Sequence, residues 1–257
     1  MGALFLSPAR EPVYQGRTLS EWRSEQLRNP PGPEASNALR QIGTNLLPRI
    51  ARKFAARDSS LKERYLSMVD RAIFKIPTAG DAHAEGFALI ESLGPGAVAA
   101  IPLLQKSLLT EEEPMDAARY LARMGAAGME SLRLGLSSTN ERVRSCSALA
   151  LSGSAGLESE TVPLLIQRLG DTDASVRANA AASLGELAGL PEVAVPGLVS
   201  VLKDRDTTVR RYAARALGKF GRAGRAAVAE LSERTRDLDS VVRDNAVNSI
   251  RQIEGGR

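Results

Sequence analysis

One histidine, His83, and one cysteine, Cys146, are all that this chain of 257 residues offers to the chemistry that most often activates water, holds a metal or attacks a carbonyl. A single cysteine excludes a disulfide framework and a cysteine-based metal site. A single histidine excludes any multi-histidine site, and His83 with Glu85 nearby supplies fewer ligands than a metal needs. Ser147, Ser152 and Ser154 cluster, yet a His-assisted triad is out of reach because His83 lies two or more helical units upstream. The glycine-rich stretch GKFGRAGR at 218–225 superficially suggests a phosphate loop. It lacks the Gly-Lys-Ser/Thr ending that sets a lysine and a hydroxyl on phosphate and Mg²⁺, and reads as a turn in which Gly221 and Gly224 permit chain reversal. No catalytic residue, metal ligand or cofactor is expected from this inventory, and the protein is read as a non-enzyme.

What remains is charge. Arginine outnumbers lysine 28 to 6, and the net charge of +4 hides an uneven spread. Residues 1–80 hold 13 basic against 7 acidic residues, 81–200 hold 8 against 15, and 201–257 hold 13 against 8. Basic ends suit phosphate or an acidic partner, the plainer reading being a solvated surface. No apolar run reaches 18 residues, so no membrane span is expected.

The elements that position these charges repeat. The pairs Val143-Arg144, Val176-Arg177, Val209-Arg210 and Val242-Arg243 lie 33 residues apart. A small residue follows four positions on (Ser147, Ala180, Ala213, Ala246), then Leu151, Leu184, Leu217 and Ile250, then Ser154, Leu187, Phe220 and Ile253. These offsets share one helical face. Thirteen residues before a frame valine stand Pro163, Pro196 and Ala229, in short apolar segments that read as a leading helix with proline in its first turn. Asp171-Thr-Asp173, Asp204-Arg-Asp206 and Asp237-Leu-Asp239, with Asn140 equivalent to the second acid, sit where they cap the second helix of each pair. Upstream the pattern loosens: Ala117/Leu121/Met124, Gly86/Ile90/Leu93 and Ala35/Leu39/Ile42 read as second helices, LLPRIARKF and VAAIPLLQKSL as leading ones, and 57–80 as an extra, inserted helix.

VRANAAASLGELAG and VRRYAARALGKFG resemble the second helix of HEAT repeats, specifically the bacterial type first named from phycobilisome lyases. The resemblance covers about 33–254 and implies an all-α fold, a curved, right-handed superhelical α-solenoid of stacked hairpins, each burying its face only against its neighbours. It also implies that the acidic and arginine positions of the ladder Arg144, Arg177, Arg210 and Arg243 link neighbouring repeats; spacing alone puts an acidic partner three or four residues earlier in each of the last three units. HEAT-like deoxyhypusine hydroxylases hold iron through several His-Glu pairs, and none is adjacent here, so that activity is not expected.

YQGRTLSEW, residues 14–22, is similar to a G-x-x-L-S-x-W element that precedes HEAT repeats in proteins of planctomycete and verrucomicrobial type. Thr18 and Glu21 make a capping box for a helix carrying Leu19 and Trp22. The expected organisation is an N-terminal segment and capping helix at 1–32, then a solenoid at 33–257 with regular repeats over 126–254. Tyr14 and Trp22 form a sharper but secondary candidate binding site. ALFLSPAR resembles the tail of a hydrophobic anchor, so the chain is read as cytoplasmic as written, with membrane anchoring or export as the alternative if an upstream anchor has been lost.

The primary candidate site is a surface. At 100° per residue, the helix opening at Val209 turns Val209, Ala213 and Phe220 inward and Arg211, Arg215 and Gly218 outward, flanked by Tyr212 and Lys219. Its counterparts one repeat earlier are Ala178, Asn179, Ala182 and Glu186, so the patch is local. Arg211, Tyr212, Arg215 and Lys219 are therefore expected to bind a partner protein of unknown identity, with the chain a monomer. A nucleic acid is the alternative and the acidic middle argues against it; a phycobilin-lyase role rests on the repeat name alone.

Overall fold

A computed structural model describes residues 12–26, 33–54, 90, 94–110 and 114–255. The expected helix at 57–80, His83, Glu85 and the N-terminal apolar stretch lie outside them. The chain divides into two compact units, Met1–Leu103 and Leu104–Arg257.

The first unit opens with a β-hairpin, β1 (Val13–Tyr14) and β2 (Arg17–Thr18), paired antiparallel. Its turn residues have positive φ, 48° at Gln15 and 77° at Gly16, which a two-residue turn matching strand twist requires. Helix α1 (Leu19–Gln26) follows at once. Its start is the anticipated capping box: Glu21 accepts from the Thr18 backbone N–H at 2.6 Å, and Thr18 Oγ1 accepts from the Glu21 N–H at 3.3 Å. Helix α2 runs unbroken from Pro33 to Phe54, burying Ala35, Ala38, Leu39, Ile42 and Leu46 along one stripe. The sequence suggested two helices here, with LLPRIARKF leading a new pair. Pro48 does not end the helix, because it lies on the exposed face where its missing hydrogen bond is least costly. A 3₁₀ segment, Gly94–Ala100, packs back on α2 with Ala97 and Ala100 buried.

Next come α3 (Ile101–Leu109), α4 (Pro114–Arg123), α5 (Ala126–Leu136), α6 (Glu141–Ala150), α7 (Glu158–Arg168), α8 (Ala174–Leu187), α9 (Pro191–Ser200), α10 (Thr207–Lys219), α11 (Val228–Arg234) and α12 (Ser240–Gly255). From α5 on, each odd helix pairs as a hairpin with the even helix that follows it, and within the second unit the even ones pack in an uninterrupted row, α4 on α6 on α8 on α10 on α12. This is the all-α solenoid. Val143, Val176, Val209 and Val242, with Ser147, Ala180, Ala213 and Ala246, are fully buried at the hairpin centres. The caps are as read: Asn140, Asp173 and Asp206 each accept two backbone N–H groups of the helix they open, and Asp239 accepts from Val242 at 3.0 Å.

One detail of the leading helices differs. α7 and α9 begin five residues before Pro163 and Pro196, so both prolines stand in the second turn. Both are exposed, as are Ser159 and Glu192, whose carbonyls lose a donor, so the missing bond falls on the solvent face of the helix, where it is least costly.

Candidate functional site

Helix α10 is flanked on both sides, and this narrows the expected surface. Gly218 does not face outward: it is buried, and a Cβ there would sit 3.0 Å from the Ser249 Cα of α12. Ala182, placed on the exposed strip by the helical wheel, is also buried at 8% exposure, and so is Ala178. A wheel drawn for an amphipathic helix allows one apolar face; a solenoid helix has a partner hairpin beneath it and a neighbour on each side, so three faces are consumed.

A ridge is left. Arg215 and Lys219 are exposed and Arg211 and Tyr212 half-buried, and all four lie together as expected. They are not free cations. Arg211 makes a two-bond fork to Asp239 at 2.8 and 2.5 Å, and this holds the Asp239 carboxyl far below the ordinary range, against a smaller opposing effect of burial. Lys219 reaches Glu186 of α8 at 3.3 Å and Arg215 lies 3.8 Å from the same carboxylate. Arg215 also stands over the Tyr212 ring, 5.2 Å from its centre. Three cations thus face two carboxylates, and the local excess is a single positive charge.

The arginine ladder is structural. Arg177 Nε and Nη2 donate to both oxygens of Asp204, 27 residues ahead, at 2.7 and 2.9 Å, while Nη1 donates to the Asp171 and Thr172 carbonyls of its own loop. Arg144 with Asp171 and Arg210 with Asp237 repeat the arrangement. Neighbouring repeats are linked as the resemblance implied, but the partner is not the acid four residues earlier, because that carboxylate is engaged as the helix cap. The Asp237 carboxyl is pulled down chiefly by Arg210; at Asp171 and Asp204 burial is the largest single effect and opposes ionisation, but the arginine and the backbone N–H two residues on together outweigh it, so both carboxyls also lie low. At 6% exposure Arg177 has no face to offer a phosphate.

The secondary candidate, Tyr14 and Trp22, is brought together at 6.5 Å between rings. Trp22 is 3% exposed, its indole N–H donates to the Tyr14 carbonyl at 2.9 Å, and the Arg17 guanidinium covers its face at 4.0 Å. Each polar and aromatic surface of the indole is therefore engaged within the hairpin and cap.

Sequence reasoning missed a half-open cavity of about 380 Å³ where α4 meets the end of α6, on the row of even helices that carries the ridge. Met115, Ala122, Leu149 and Ala150 give it an apolar floor, with Arg119 and Arg123 on its wall. Its only sequence signal was the loss of regular spacing before residue 126. Cys146 is buried and burial pushes its thiol up, away from the thiolate form that reacts. Among the described residues no group of three His, Cys, Asp or Glu could hold a metal ion, and no helix is long and apolar enough to cross a membrane.

Residues 162–251 match the family model of HEAT repeats. That stretch of the chain carries HEAT repeats, which generally mediate protein–protein contact. No curated protein matches the chain. Among solved structures, a Kap121p mutant overlays with a TM-score of 0.60 at 14% identity, over 91% of this chain and 29% of that one. The complex of CpcE and CpcF of phycocyanin lyase from Nostoc sp. PCC7120 gives 0.51 at 22% identity, over 60% of this chain and 65% of that one. Human deoxyhypusine hydroxylase gives 0.41 at 20% identity, over 87% and 100%, too loose to argue from. The chain thus spans less than two thirds of the Kap121p and phycocyanin lyase chains it matches. The first two overlays establish the fold, and a fold shared with a Kap121p mutant and a phycocyanin lyase complex does not choose a function.

Proposed function

We propose that this protein is a non-enzymatic scaffold, monomeric by itself, that holds a partner protein along its row of even-numbered helices. The supporting observation is the ridge itself. Arg211, Tyr212, Arg215 and Lys219 form an aromatic and cationic cluster on a rigid helix, with Arg215 and Lys219 held by Glu186 of one neighbour and Arg211 by Asp239 of the other. Tyrosine and arginine in such clusters dominate binding energy at protein interfaces. The apolar floor of the 380 Å³ cavity extends the surface with a place for a hydrophobic side chain. Residues 1–32 act as the N-terminal cap.

A duplex nucleic acid fits less well. Phosphate binding draws on cations that release counterions, and here all three ridge cations already face carboxylates.

The test places a photo-crosslinking side chain at Tyr212 and, as control, at exposed Leu134 on the odd helix α5. A defined protein cross-linked in the native host from position 212, absent from 134 and lost with Arg215→Glu/Lys219→Glu, is the expected result. Equal capture from both positions, or binding of duplex DNA that collapses as salt rises, overturns the reading.

A further inference from the structure

One groove between even helices lacks the ion pair that closes another. Two residues after the frame leucines Leu121, Leu151, Leu184 and Leu217 stand Arg123 on α4, Gly153 in the turn that ends α6, Glu186 on α8 and Lys219 on α10. Between α8 and α10 the last two meet across the groove at 3.3 Å, and the same glutamate lies 3.8 Å from Arg215. Between α4 and α6 the equivalent pair is an arginine and a glycine. A Cβ on Gly153 would meet nothing nearer than the Ala122 Cβ of α4 at 4.0 Å, so no side chain crosses from α6 at this place, and the half-open cavity of 380 Å³ occupies the space. Two residues before the frame leucine, α4 carries Arg119 and α6 carries Leu149. The lining therefore presents two guanidinium groups from α4, apolar atoms opposite them, and no carboxylate.

We propose that this cavity anchors an acidic segment of the partner protein: a bulky apolar side chain fills the cavity, and a glutamate or aspartate beside it in sequence binds Arg119 and Arg123. The inference rests on the reading of the even helices as the partner-binding row, and names the chemistry of what binds there. Glu186 is the template. It is a single carboxylate that serves two cations four residues apart on a neighbouring even helix, and Arg119 and Arg123 have the same spacing on α4. The Arg119 side chain is 64% exposed and lies 3.5 Å from Asp116 of its own helix; an ion pair so open to water contributes little and yields to a second carboxylate. Beneath the cations the floor is apolar, and a large apolar side chain is what removes such a floor from water.

A nucleic acid is disfavoured by the same lining. Two arginines suit a phosphate, but the lining holds no aromatic ring on which a base could stack. Its one side-chain hydroxyl, on Ser152, already donates to the Leu149 carbonyl at 2.8 Å, which leaves little to read a base or a sugar.

The test follows the methyl NMR signals of Ala122, Leu149 and Ala150 in the full chain while acetyl-Glu-Phe-Glu-amide is added. Both ends of this probe are blocked, so its carboxylates are those of side chains. The expected result is a saturable shift of these methyls, with a Kd of about 0.1–10 mM for so small a probe, while exposed Leu134 on α5 stays put. Acetyl-Gln-Phe-Gln-amide lacks the charge and acetyl-Glu-Ala-Glu-amide lacks the anchor, and each should bind about tenfold more weakly. Arg119→Gln/Arg123→Gln should weaken the first probe about tenfold and leave the glutamine probe unchanged. Gly153→Leu should fill the cavity and abolish the binding of both, with circular dichroism confirming the fold of each variant. No saturable shift up to about 20 mM probe, an equal shift at Leu134, a glutamine or alanine probe that binds as tightly as the first, or tighter binding of oligothymidylate each overturns the proposal. The comparison of the three probes on the unaltered protein decides the case even if a variant fails to fold. It reads the cavity alone, so a partner cross-linked from position 212 together with a cavity that ignores the probe refutes the anchor and keeps the scaffold.

Discussion

Replacing Gly185 by alanine sets two effects of opposite sign against each other. Gly185 lies inside α8, and helix propensity alone favours alanine there by about 1 kcal/mol. The packing says otherwise. A Cβ at this position would sit 2.7 Å from both the Cα and the Cβ of Ala216 in α10, where carbon atoms in contact keep about 3.5–4.0 Å. One of those atoms is backbone, so no rotamer change relieves the clash, and α8 and α10 must part by most of an ångström. Overpacking of this kind costs about 1–3 kcal/mol, and subtracting the propensity gain leaves a net loss of up to about 2 kcal/mol. In a protein of this size that lowers the melting temperature by a few degrees. The control is Gly153→Ala, whose Cβ would meet nothing nearer than the Ala122 Cβ at 4.0 Å. Urea unfolding followed by circular dichroism should show Gly185→Ala less stable than the parent and Gly153→Ala unchanged or slightly more stable. If Gly185→Ala is stabilised as much as Gly153→Ala, the even helices do not stack as closely as described here.

Leu184→Ala, at a position with no exposure, should cost about 2–5 kcal/mol by the same urea assay, through lost burial and the cavity left behind. Asp237 is held low by Arg210, so its stabilisation is complete above the unfolded value of about 3.9 and is lost as pH falls below that range. An acid titration of stability should therefore be shallower in Arg210→Gln than in the parent. Thr18→Ala removes the acceptor of the Glu21 N–H and should destabilise α1 by about 1 kcal/mol, seen as faster hydrogen exchange of the Glu21 amide. Cys146, buried and with its thiol pushed up, should react with a thiol reagent only as its hairpin opens; rapid labelling of the native protein would contradict its placement.

The regular repeats were legible because a 33-residue period carries its own internal check. Valine, small residue and leucine at fixed offsets name the buried face, and Asp173 and Asp206 declare helix starts through a purely local interaction between a carboxylate and N–H groups two and three residues on. The capping box of Thr18 and Glu21 was readable for the same reason. Contacts across 27 residues were not. Nothing local distinguishes Asp204, which binds Arg177 of the preceding hairpin, from Asp206, which caps its own helix; the stacking decides it. The single long α2 was misread because proline is a strong local signal, and only the side of the helix that meets solvent shows that Pro48 can be carried. The same limit governs the candidate site. The sequence determined that Arg211, Tyr212, Arg215 and Lys219 share a helix and a side, since helical spacing fixes that. The tertiary structure decided that Gly218 and Ala182 are buried and that Glu186 and Asp239 neutralise most of the charge, because each depends on what the neighbouring hairpin brings within 3–4 Å.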